Sequence, residues 1–328
     1  MKKVQTKAAL FGLVAIVAGF SLYLFGVLLG PIRLLLGNPE FIKAINEFIV
    51  WYSGVPVVIG VALIIFDFVT KVNWHRATRH IRYQKLFNPS ISVALTAYND
   101  ELSIADSVKD FLKQPNVKRV IVVSNNSTDG TMEKAEQAGA IVLNESQQGY
   151  GACVYRALTE ACQYEDSELV LLCEGDCTFS AEDIPKFLSY IDHADIVNGT
   201  RIVEKLQESQ TQLSTFMHYG NLFVGKLLEA KYLGQVTLTD VGTTYKVCRK
   251  EPLRALLPKL NSAFNLTFNP YFLDQALLNG MTIVECPIAF LPRVGESKGG
   301  NINNKVAFRL GVGMILGILS DWRFSRHG

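Results

Sequence analysis

The stretch Leu169-Val170-Leu171-Leu172-Cys173-Glu174-Gly175-Asp176 ends an apolar run with two carboxylates. A short run without polar alternation is typical of a buried parallel strand. In an open α/β sheet, ligands bind in the crevice outside the carboxyl ends of such strands. We therefore predict that Glu174 and Asp176 face a ligand. The alternative interpretation is a solvated acidic turn.

The class of ligand follows from these two side chains and from a polar segment upstream of them. Two acidic groups that flank a glycine can hold a hard divalent cation, Mg²⁺ or Mn²⁺, and that cation can bridge the phosphates of a diphosphate. The upstream segment is Ser124-Asn125-Asn126-Ser127-Thr128-Asp129-Gly130-Thr131. Together the two segments indicate that the ligand is a nucleoside diphosphate sugar.

Predicted strands and helices alternate around this site. The strands are Ile91–Ala97, Val117–Ser124, 140–143, the run ending at Glu174, 195–198 and 282–287; the helices are 100–114, 130–138, 151–162 and one opened by a capping box at Ser180-Ala181-Glu182-Asp183. This order predicts an α/β fold, in which a mostly parallel sheet carries helices on both faces. The loops that follow the first strands then converge on one crevice.

The N-terminal part of the chain is strongly apolar. Residues 8–32 and 48–66 contain no charged side chain, and each stretch is long enough to cross a hydrocarbon core as a helix. We predict a two-helix transmembrane hairpin. A cleaved signal peptide is the alternative for the first stretch, but that stretch is too long and lacks a convincing cleavage site.

Basic residues flank the predicted hairpin on both sides. Lys2, Lys3 and Lys7 precede it, and Lys71, Arg76, Arg79, Arg82 and Lys85 follow it with no acidic residue among them. The excess of positive charge predicts that both flanks are cytosolic. We therefore expect an integral protein of the inner or plasma membrane, with everything after Lys71 in the cytosol.

Charge and cysteine content argue against two classes of protein. The net charge of +2 is too small to indicate nucleic-acid binding, and anionic lipid headgroups explain the basic segment better. The six cysteines lack the paired spacing of a zinc site, so we expect them to be reduced thiols and not zinc ligands. The sequence leaves the oligomeric state open, and a homo-oligomer is among the states that it permits.

Seven short segments occur together in a familiar order. They are Ala97-Tyr98-Asn99-Asp100-Glu101, Asn125 to Thr131, Gln148-Gly149-Tyr150-Gly151, Glu174-Gly175-Asp176, Asn198-Gly199-Thr200-Arg201, Asp240-Val241-Gly242-Thr243-Thr244-Tyr245 and Arg293-Val294-Gly295-Glu296-Ser297-Lys298. In this order they resemble the family 2 glycosyltransferases of GT-A fold, a Rossmann-like fold. The last three resemble the polyprenyl-phosphate group, which is similar to dolichol-phosphate mannose synthase.

The resemblance implies roles for individual residues. A nucleoside diphosphate sugar would lie against Ala97, Tyr98, Asn99, Glu101, Asn125, Ser127, Gly149, Gly151, Glu174 and Gly175. Asp176 and Glu174 would hold the divalent cation, and Asp176, Asp240 and Arg201 would serve catalysis. The phosphate of a polyprenyl phosphate acceptor would meet Arg201, His218, Arg293, Ser297 and Lys298, and guanidinium groups suit phosphate oxygens by their geometry.

The acceptor decides whether a general base is needed. A lipid phosphate is already anionic near neutral pH and can attack the anomeric carbon directly, whereas a hydroxyl needs a base, which Asp240 could supply. The apolar stretch 306–319 is too short to span a membrane and favours a helix at the membrane interface, with a buried core helix as the alternative. We expect three domains. Residues 1–85 form the transmembrane hairpin and its basic segment, residues 86–300 form the glycosyltransferase domain, and residues 301–328 form the helix at the membrane interface.

Five positions depart from the family pattern: Thr96, Ser124, Glu174, His218 and Tyr271. Glu174 keeps the charge of the more common aspartate, so cation binding is expected to survive. Ser124 and Tyr271 leave two alternatives to a polyprenyl-phosphate transferase. One is a glycosyltransferase that extends a saccharide or lipid-linked glycan, and the other is a catalytically weak, membrane-anchored binding or scaffold protein.

Overall fold

The computed structural model describes residues 8–78, 82–208, 211, 214–232, 235–295 and 304–320. The chain divides into two compact units, one up to residue 80 and one from residue 81 onward. In the part of the first unit that the structure describes there are three helices, α1 (Ala8–Leu35), α2 (Glu40–Tyr52) and α3 (Gly54–Thr78). The second unit contains a sheet with helices on both faces.

The first unit contains two helical stretches that are long and apolar enough to cross a membrane, Ala8–Leu35 and Glu40–Thr70. The second begins earlier than the predicted span 48–66 and is divided into α2 and α3 at Ser53. Ser53 keeps a helical backbone conformation, and its hydroxyl donates to the carbonyl of Val50 at 2.9 Å. The chain therefore continues in nearly the same helical path across this division.

Small residues allow α1 to pack closely against α3. Gly12, Gly19 and Gly26 are the buried residues of α1 and lie seven residues apart; the first two lie against α3, and Gly26 lies against Val50 of α2. A Cβ atom added to Gly12 would lie 2.5 Å from the carbonyl oxygen of Gly60. Small residues at such spacing let two membrane helices approach backbone to backbone, so the hairpin is held by close packing.

Among the described residues of the second unit, seven strands form one mixed sheet. They are β1 (Ile91–Ala97), β2 (Val117–Ser124), β3 (Ile141–Asn144), β4 (Leu169–Glu174), β5 (Ile196–Thr200), β6 (Lys246–Arg249) and β7 (Ile283–Pro287), in the spatial order β3-β2-β1-β4-β6-β5-β7. Strand β6 pairs antiparallel with β4 and β5, and the other pairs are parallel. The predicted mostly parallel sheet is confirmed, and β6 was not predicted.

Helices cover both faces of this sheet. They are α4 (Ile104–Leu112), α5 (Thr131–Gln137), α6 (Tyr150–Ala161), α7 (Ile184–Ile191), α8 (Thr215–Lys231), α9 (Lys250–Leu256), α10 (Phe268–Leu278) and α11 (Asn304–Ser320). One apolar core lies under α4, α5 and α7, and the other lies under α6 and α8 to α11. The strand ends are thereby fixed from both sides, which positions the loops that leave them.

The C-terminal helix α11 has two different faces. Ile318 is buried in the core beside α8 and α10, whereas Phe308, Val312 and Leu316 are exposed. The exposed residues are spaced four apart and therefore form one stripe along the helix. The helix belongs to the domain core on one side, and its placement at a membrane interface stays a prediction.

Candidate active site

A cavity of about 870 Å³ opens at the carboxyl ends of β1 and β4. The loops after these strands contribute Tyr98 and Asp100 on one side and Glu174 and Asp176 on the other. Because the two strands are parallel neighbours, their loops leave the sheet at the same edge. The cavity therefore lies where the sequence predicted a ligand site.

Glu174 and Asp176 enter this cavity from a sharp turn around Gly175. The Gly175 amide donates to the carbonyl of Thr96 at 3.0 Å, and the side chain of Ile104 leaves no room for a Cβ atom there. Burial, followed by the nearby charge of Asp176, raises the pKa of Glu174 to about 7. The charges of the two carboxylates repel each other, so the pair favours a cationic partner.

The carboxylate oxygens are hard ligands of the kind that Mg²⁺ and Mn²⁺ prefer. Within the described ranges, no group of three or more His, Cys, Asp and Glu side chains forms a complete metal site. Glu174 and Asp176 fit a divalent cation as a partial ligand set, since phosphate oxygens and water can supply the other positions. The neighbouring guanidinium of Arg293 shows that this position attracts positive charge.

Arg293 forms ion pairs with two carboxylates of the cavity. Its Nη1 lies 2.8 Å from Asp176 Oδ2, and its Nη2 lies 2.8 Å from Asp100 Oδ1. The amide of Val294 donates to the carbonyl of Asp176 at 3.2 Å. The segment that follows β7 is thus attached to the acidic turn through both a side chain and the backbone.

A second arginine, Arg201, lines the same cavity after β5. Its Nε lies 2.7 Å from Asp240 Oδ2, and its Nη2 lies 2.9 Å from Asp240 Oδ1. Asp240 is fully buried and also accepts the amides of Arg201 and Gly242. Burial alone would raise the pKa of Asp240, but the charge and hydrogen bonds of Arg201 lower it below its ordinary value.

Glu285 on β7 holds the backbone that carries Asp240. Its carboxylate accepts the amides of Thr239 at 2.8 Å and Asp240 at 3.0 Å, and it also accepts the Thr239 hydroxyl. Because three donors converge on one side chain, the loop before β6 has a defined position. Glu285 thereby fixes the carboxylate that in turn orients Arg201.

A buried polar network lies behind Glu174. The Thr244 hydroxyl donates to Glu174 Oε1 at 2.6 Å and bonds the Tyr150 hydroxyl. Asn269 bonds both hydroxyls, and its Oδ1 accepts Lys246 Nζ at 3.3 Å. Burial lowers the pKa of Lys246 to about 8. Satisfied networks of this kind restrict the rotamers of their members, so Glu174 is held in one orientation.

One wall of the cavity is apolar and is built from α8 and α11. Helix α8 contributes Phe216, Tyr219 and Phe223, and helix α11 contributes Phe308 and Val312. All five side chains are also substantially exposed at the surface. The charged end of the cavity therefore continues into an apolar surface, which is unusual for a site that holds only a nucleotide.

The family follows from comparison with known proteins. The sequence profile described as Glycosyl transferase family 2 matches residues 92–257, about half of the chain and most of the sheet. The chain belongs to glycosyl transferase family 2. The family resemblance predicted from the seven segments is confirmed, and the protein is a glycosyltransferase with a GT-A-like fold.

Relatives of this glycosyltransferase include two hexosyltransferases of Haloferax volcanii. A dolichyl-phosphate hexose transferase is 30% identical over 209 residues, which cover 63% of this chain and 86% of that protein. A low-salt glycan biosynthesis hexosyltransferase is 29% identical over 215 residues, which cover 64% of this chain and 49% of that protein.

Solved structures support the fold of the glycosyltransferase. Glucosyl-3-phosphoglycerate synthase from Mycobacterium tuberculosis, in complex with Mn²⁺, uridine-diphosphate-glucose and phosphoglyceric acid, aligns with a TM-score of 0.51 and 17% identity. The alignment covers 71% of this chain and 80% of that chain. A second structure of the same enzyme, with Mg²⁺ and uridine diphosphate, also aligns with a TM-score of 0.51.

The glycosyltransferase brings eight of the predicted site residues to the cavity wall: Ala97, Tyr98, Asn125, Gly149, Glu174, Asp176, Arg201 and Arg293. Seven others that the structure describes do not line it: Asn99, Glu101, Ser127, Gly151, Gly175, Asp240 and His218. Ser297 and Lys298 lie outside the described residues. The roles assigned to individual residues stay predictions.

Three of the residues outside the wall join two loops of the glycosyltransferase. The Asn99 amide donates to Ser127 Oγ at 2.9 Å, and Asn99 Oδ1 accepts the Thr128 amide at 2.8 Å. Glu101 Oε2 accepts the Gly130 amide at 3.1 Å. These hydrogen bonds hold the two loops against each other, and the predicted contact of Asn99, Glu101 and Ser127 with the donor stays a prediction.

Asn125 and the glycines after it shape the loop before α6. Asn125 Nδ2 donates to the carbonyls of Glu145 and Gln147, and its Oδ1 accepts the Gly149 amide at 2.7 Å. Gly149 has a φ of 138°, which favours glycine. At Gly151 a Cβ atom would collide with the carbonyl oxygen of Phe264. Packing therefore requires a glycine at position 151, and its predicted contact with the donor stays a prediction.

Several residues that line the cavity of the glycosyltransferase were not predicted as site residues from the sequence. Asp100, Tyr150 and Thr244 lay inside the quoted segments but were given no role, although all three line the cavity. Asn269 lies beside a noted departure at Tyr271 and was also passed over. The aromatic spacing of α8 was the available signal for the apolar wall, since residues 216, 219 and 223 fall on one helix face.

Proposed function

We propose that the protein transfers a sugar, with inversion and in the presence of a divalent cation, from a nucleoside diphosphate sugar to a polyprenyl phosphate. Family membership supports the glycosyl transfer. The name of the 30% identical dolichyl-phosphate hexose transferase supports a lipid phosphate as the acceptor. The Mn²⁺ and uridine-diphosphate-glucose bound by a protein of similar fold support the donor and the cation.

The observation that carries the proposal is the continuity of the charged and apolar parts of one cavity. Arg201 and Arg293 line the end at the strand edge, and Phe216, Tyr219 and Phe308 line the end toward the surface. A polyprenyl phosphate has the same division, with a dianionic head and an apolar tail. Its phosphate can lie beside the arginines while its chain follows α8 and α11.

The chemistry of such a transfer is a displacement at the anomeric carbon. A phosphate oxygen of the acceptor forms the new bond from one face, and the bond to the nucleoside diphosphate breaks on the other, which inverts the configuration. The electron pair of the broken bond leaves with the diphosphate. No proton needs to be removed from the attacking phosphate, so positioning and charge stabilisation account for the catalysis.

We assign different parts of this reaction to different residues of the cavity. Glu174 and Asp176 would hold the cation, which when bound stabilises the charge of the departing diphosphate. Thr244 fixes the orientation of Glu174, and Asp240 fixes that of Arg201. The two arginines would neutralise the acceptor phosphate, which reduces its repulsion from the donor phosphates.

The environment of Asp240 argues against a hydroxyl acceptor that uses this residue as its base. Both carboxylate oxygens of Asp240 are bonded to Arg201, the side chain is buried, and its pKa is lowered. A base must reach the proton that it removes, and Asp240 does not line the cavity. A phosphate acceptor therefore agrees better with the site.

The departures at Ser124 and Tyr271 are accommodated by partners in the fold. The Ser124 hydroxyl donates to Ser127 Oγ at 2.8 Å. Tyr271 stacks on Phe264 with ring centroids 4.1 Å apart, and its hydroxyl accepts the Asn261 amide at 2.9 Å. Because both residues have partners in the folded domain, we favour an active enzyme over a scaffold protein.

The location proposed for the enzyme is the cytosolic face of the inner or plasma membrane. The two apolar helical stretches of the first unit would anchor the chain, and the basic residues that flank them in sequence favour a cytosolic position for the second unit. The exposed aromatic residues of α8 and α11 would face the lipid headgroups. An acceptor that resides in the bilayer could then reach the cavity directly.

The test is transfer of radiolabelled sugar from a panel of nucleoside diphosphate sugars to a short polyprenyl phosphate. Purified full-length protein would be assayed with Mg²⁺ or Mn²⁺, beside Asp176→Ala and the control Asp166→Ala, which alters an exposed carboxylate. We expect an acid-labile labelled lipid from the wild type and the control, with at least a hundredfold loss in Asp176→Ala. Donor hydrolysis without labelled lipid would contradict the proposed acceptor.

A further inference from the structure

Arg293 occupies the position between two carboxylates that face the cavity. Its two terminal nitrogens each lie 2.8 Å from one carboxylate, Asp176 on one side and Asp100 on the other. All three side chains are largely buried, with exposed fractions of 13%, 2% and 6%. Ion pairs at this depth are screened weakly by water, so the guanidinium neutralises much of the local negative charge.

The other polar atoms of Asp176, Asp100 and Arg293 differ in whether a hydrogen-bond partner is present. Thr178 donates to Asp176 Oδ1 through its amide at 3.0 Å, and the Tyr98 amide donates to Asp100 Oδ2 at 2.9 Å. Arg293 Nε is buried and has no hydrogen-bond partner among the described residues. An unpaired buried donor is costly, which indicates that this guanidinium has a further acceptor in another state of the enzyme.

Asp176, the proposed ligand of the divalent cation, is therefore already paired with the guanidinium of Arg293. Thr178 donates to Asp176 Oδ1, and Arg293 is bonded to the other oxygen, Oδ2. A divalent cation and the guanidinium therefore compete for Oδ2. We place Asp100 outside the ligand set of the divalent cation, so the cation does not compete with Arg293 for the Asp100 carboxylate. The Val294 amide keeps the segment attached to the Asp176 carbonyl, so Arg293 needs to move only its side chain.

We propose that Arg293 is an internal counter-cation, displaced from Asp176 by the divalent cation and kept in place by Asp100, so that it then receives the acceptor phosphate. This inference rests on the proposed function and adds an order to it: cation and donor first, acceptor second. The released Nη1 can donate to an oxygen of the acceptor phosphate, and the unpaired Nε, on the other edge of the guanidinium, provides a further donor. Asp100 is then a positioning residue that acts through Arg293.

This exchange couples two binding events. Cation binding frees Arg293 for phosphate, and phosphate bound to Arg293 removes the competitor of the cation. Such coupling is reciprocal, so each ligand must raise the affinity of the other by the same factor. Without the cation, the site should bind the acceptor phosphate poorly, which would keep an unloaded enzyme from retaining its lipid.

The first test measures Mn²⁺ binding by electron paramagnetic resonance, with full-length protein in detergent and no donor. We expect Arg293→Met to bind Mn²⁺ about tenfold more tightly than wild type, because the competing cation is gone. Arg293→Lys keeps a charge but loses the two-point geometry and should fall between them. The control Arg254→Met, which alters a surface arginine, should match wild type. Equal or weaker binding by Arg293→Met, including no binding by either protein, would overturn the exchange.

The second test measures binding of farnesyl phosphate in the presence of uridine diphosphate, with and without Mn²⁺. In the wild type, Mn²⁺ should raise the affinity for farnesyl phosphate at least fivefold, and Arg293→Met should abolish this increase. Asp100→Asn should raise the KM for the lipid acceptor and leave the KM for the donor unchanged. An Mn²⁺ effect that persists in Arg293→Met would show that the phosphate is coupled to the cation by another group.

The two proposals can fail separately. If no sugar reaches a polyprenyl phosphate while Arg293→Met still binds Mn²⁺ more tightly, the proposed acceptor is wrong and the cation exchange stands. If labelled lipid forms while Mn²⁺ affinity is the same in wild type and Arg293→Met, the proposed function stands and the exchange is wrong.

Discussion

Arg201 and Asp240 form a two-point ion pair at the edge of the cavity, with Nε 2.7 Å from Oδ2 and Nη2 2.9 Å from Oδ1. Asp240 is fully buried, whereas Arg201 lines the cavity. The carboxylate therefore sets the plane of the guanidinium and does not itself line the cavity. The pair presents one oriented positive group to the site, which is what recognition of a phosphate requires.

Asp240→Asn should damage both stability and activity, because it leaves the buried Arg201 charge without its partner. We expect a loss of about 3 kcal/mol in the free energy of unfolding and at least a hundredfold fall in the transfer rate. The double variant Asp240→Asn/Arg201→Met should be no slower than either single variant, since the two residues act as one unit. Rate losses that multiply in the double variant would show independent roles.

Substitution of the apolar wall should change the use of long lipid acceptors. Tyr219→Ser and Phe223→Ser remove contacts proposed for the polyprenyl chain, so we expect the KM for a long-chain acceptor to rise about tenfold. The KM for a short, water-soluble isoprenoid phosphate should change little. Tyr190→Ser on α7, an exposed aromatic away from the cavity, is the matched control. A similar rise with both acceptors would remove the chain from this wall.

Lys246 should make stability depend on pH in the alkaline range. Burial lowers its pKa to about 8; Cys248, Asp240 and Glu174 act in the opposite direction, and Arg201 adds to the lowering. Between about pH 8 and 10.5 the unfolded chain binds more protons than the folded one, so stability rises with pH across this window. The gain is on the order of 3 kcal/mol, and below pH 8 it is absent.

The measurement for Lys246 is the thermal unfolding midpoint of wild type and Lys246→Met at pH 7.5 and pH 10.5. The difference between the two proteins removes the contributions of other groups that titrate in this range. The wild type should gain stability relative to the variant as the pH rises. A difference that stays constant would mean that Lys246 has an ordinary pKa in the folded protein.

Two glycines of α1 offer a matched test of helix packing. A Cβ atom at Gly12 would lie 2.5 Å from the Gly60 carbonyl oxygen, whereas one at Gly30 would have nothing within 4 Å. Gly12→Ala should lower the thermal midpoint in detergent by an amount equivalent to about 1–3 kcal/mol, and Gly30→Ala should leave it unchanged or slightly raised. Equal midpoints for the two variants would show that α1 and α3 do not need this close approach.

Much of the fold could be predicted because the relevant signals are local. The apolar run ending at Glu174 and the alternation of strands and helices indicate a parallel sheet without reference to distant residues. The boundaries of β1 and β2 agree with prediction. Strand β6 could not be found in this way, because its four residues include Lys246 and Arg249, which are buried only through partners elsewhere in the chain.

The candidate site was predicted in outline for a similar reason. Residues after parallel strands meet at one sheet edge, so Tyr98, Asn125 and Asp176 could be placed together from the sequence. Whether a side chain contacts a ligand or another loop depends on contacts between distant segments. Only the structure shows, for example, that Asn99 and Glu101 bond residues of the next loop.

By itself, the sequence determined the class of fold, the apolar helices, the acidic turn and the family, because short-range pattern and residue order carry these properties. Only the tertiary structure decided that Asp240 belongs to Arg201, that Arg293 lies between Asp100 and Asp176, and that α8 and α11 form one apolar wall. These pairings join residues far apart in the chain. Their geometry depends on the packing of the sheet and helices, which no local pattern records.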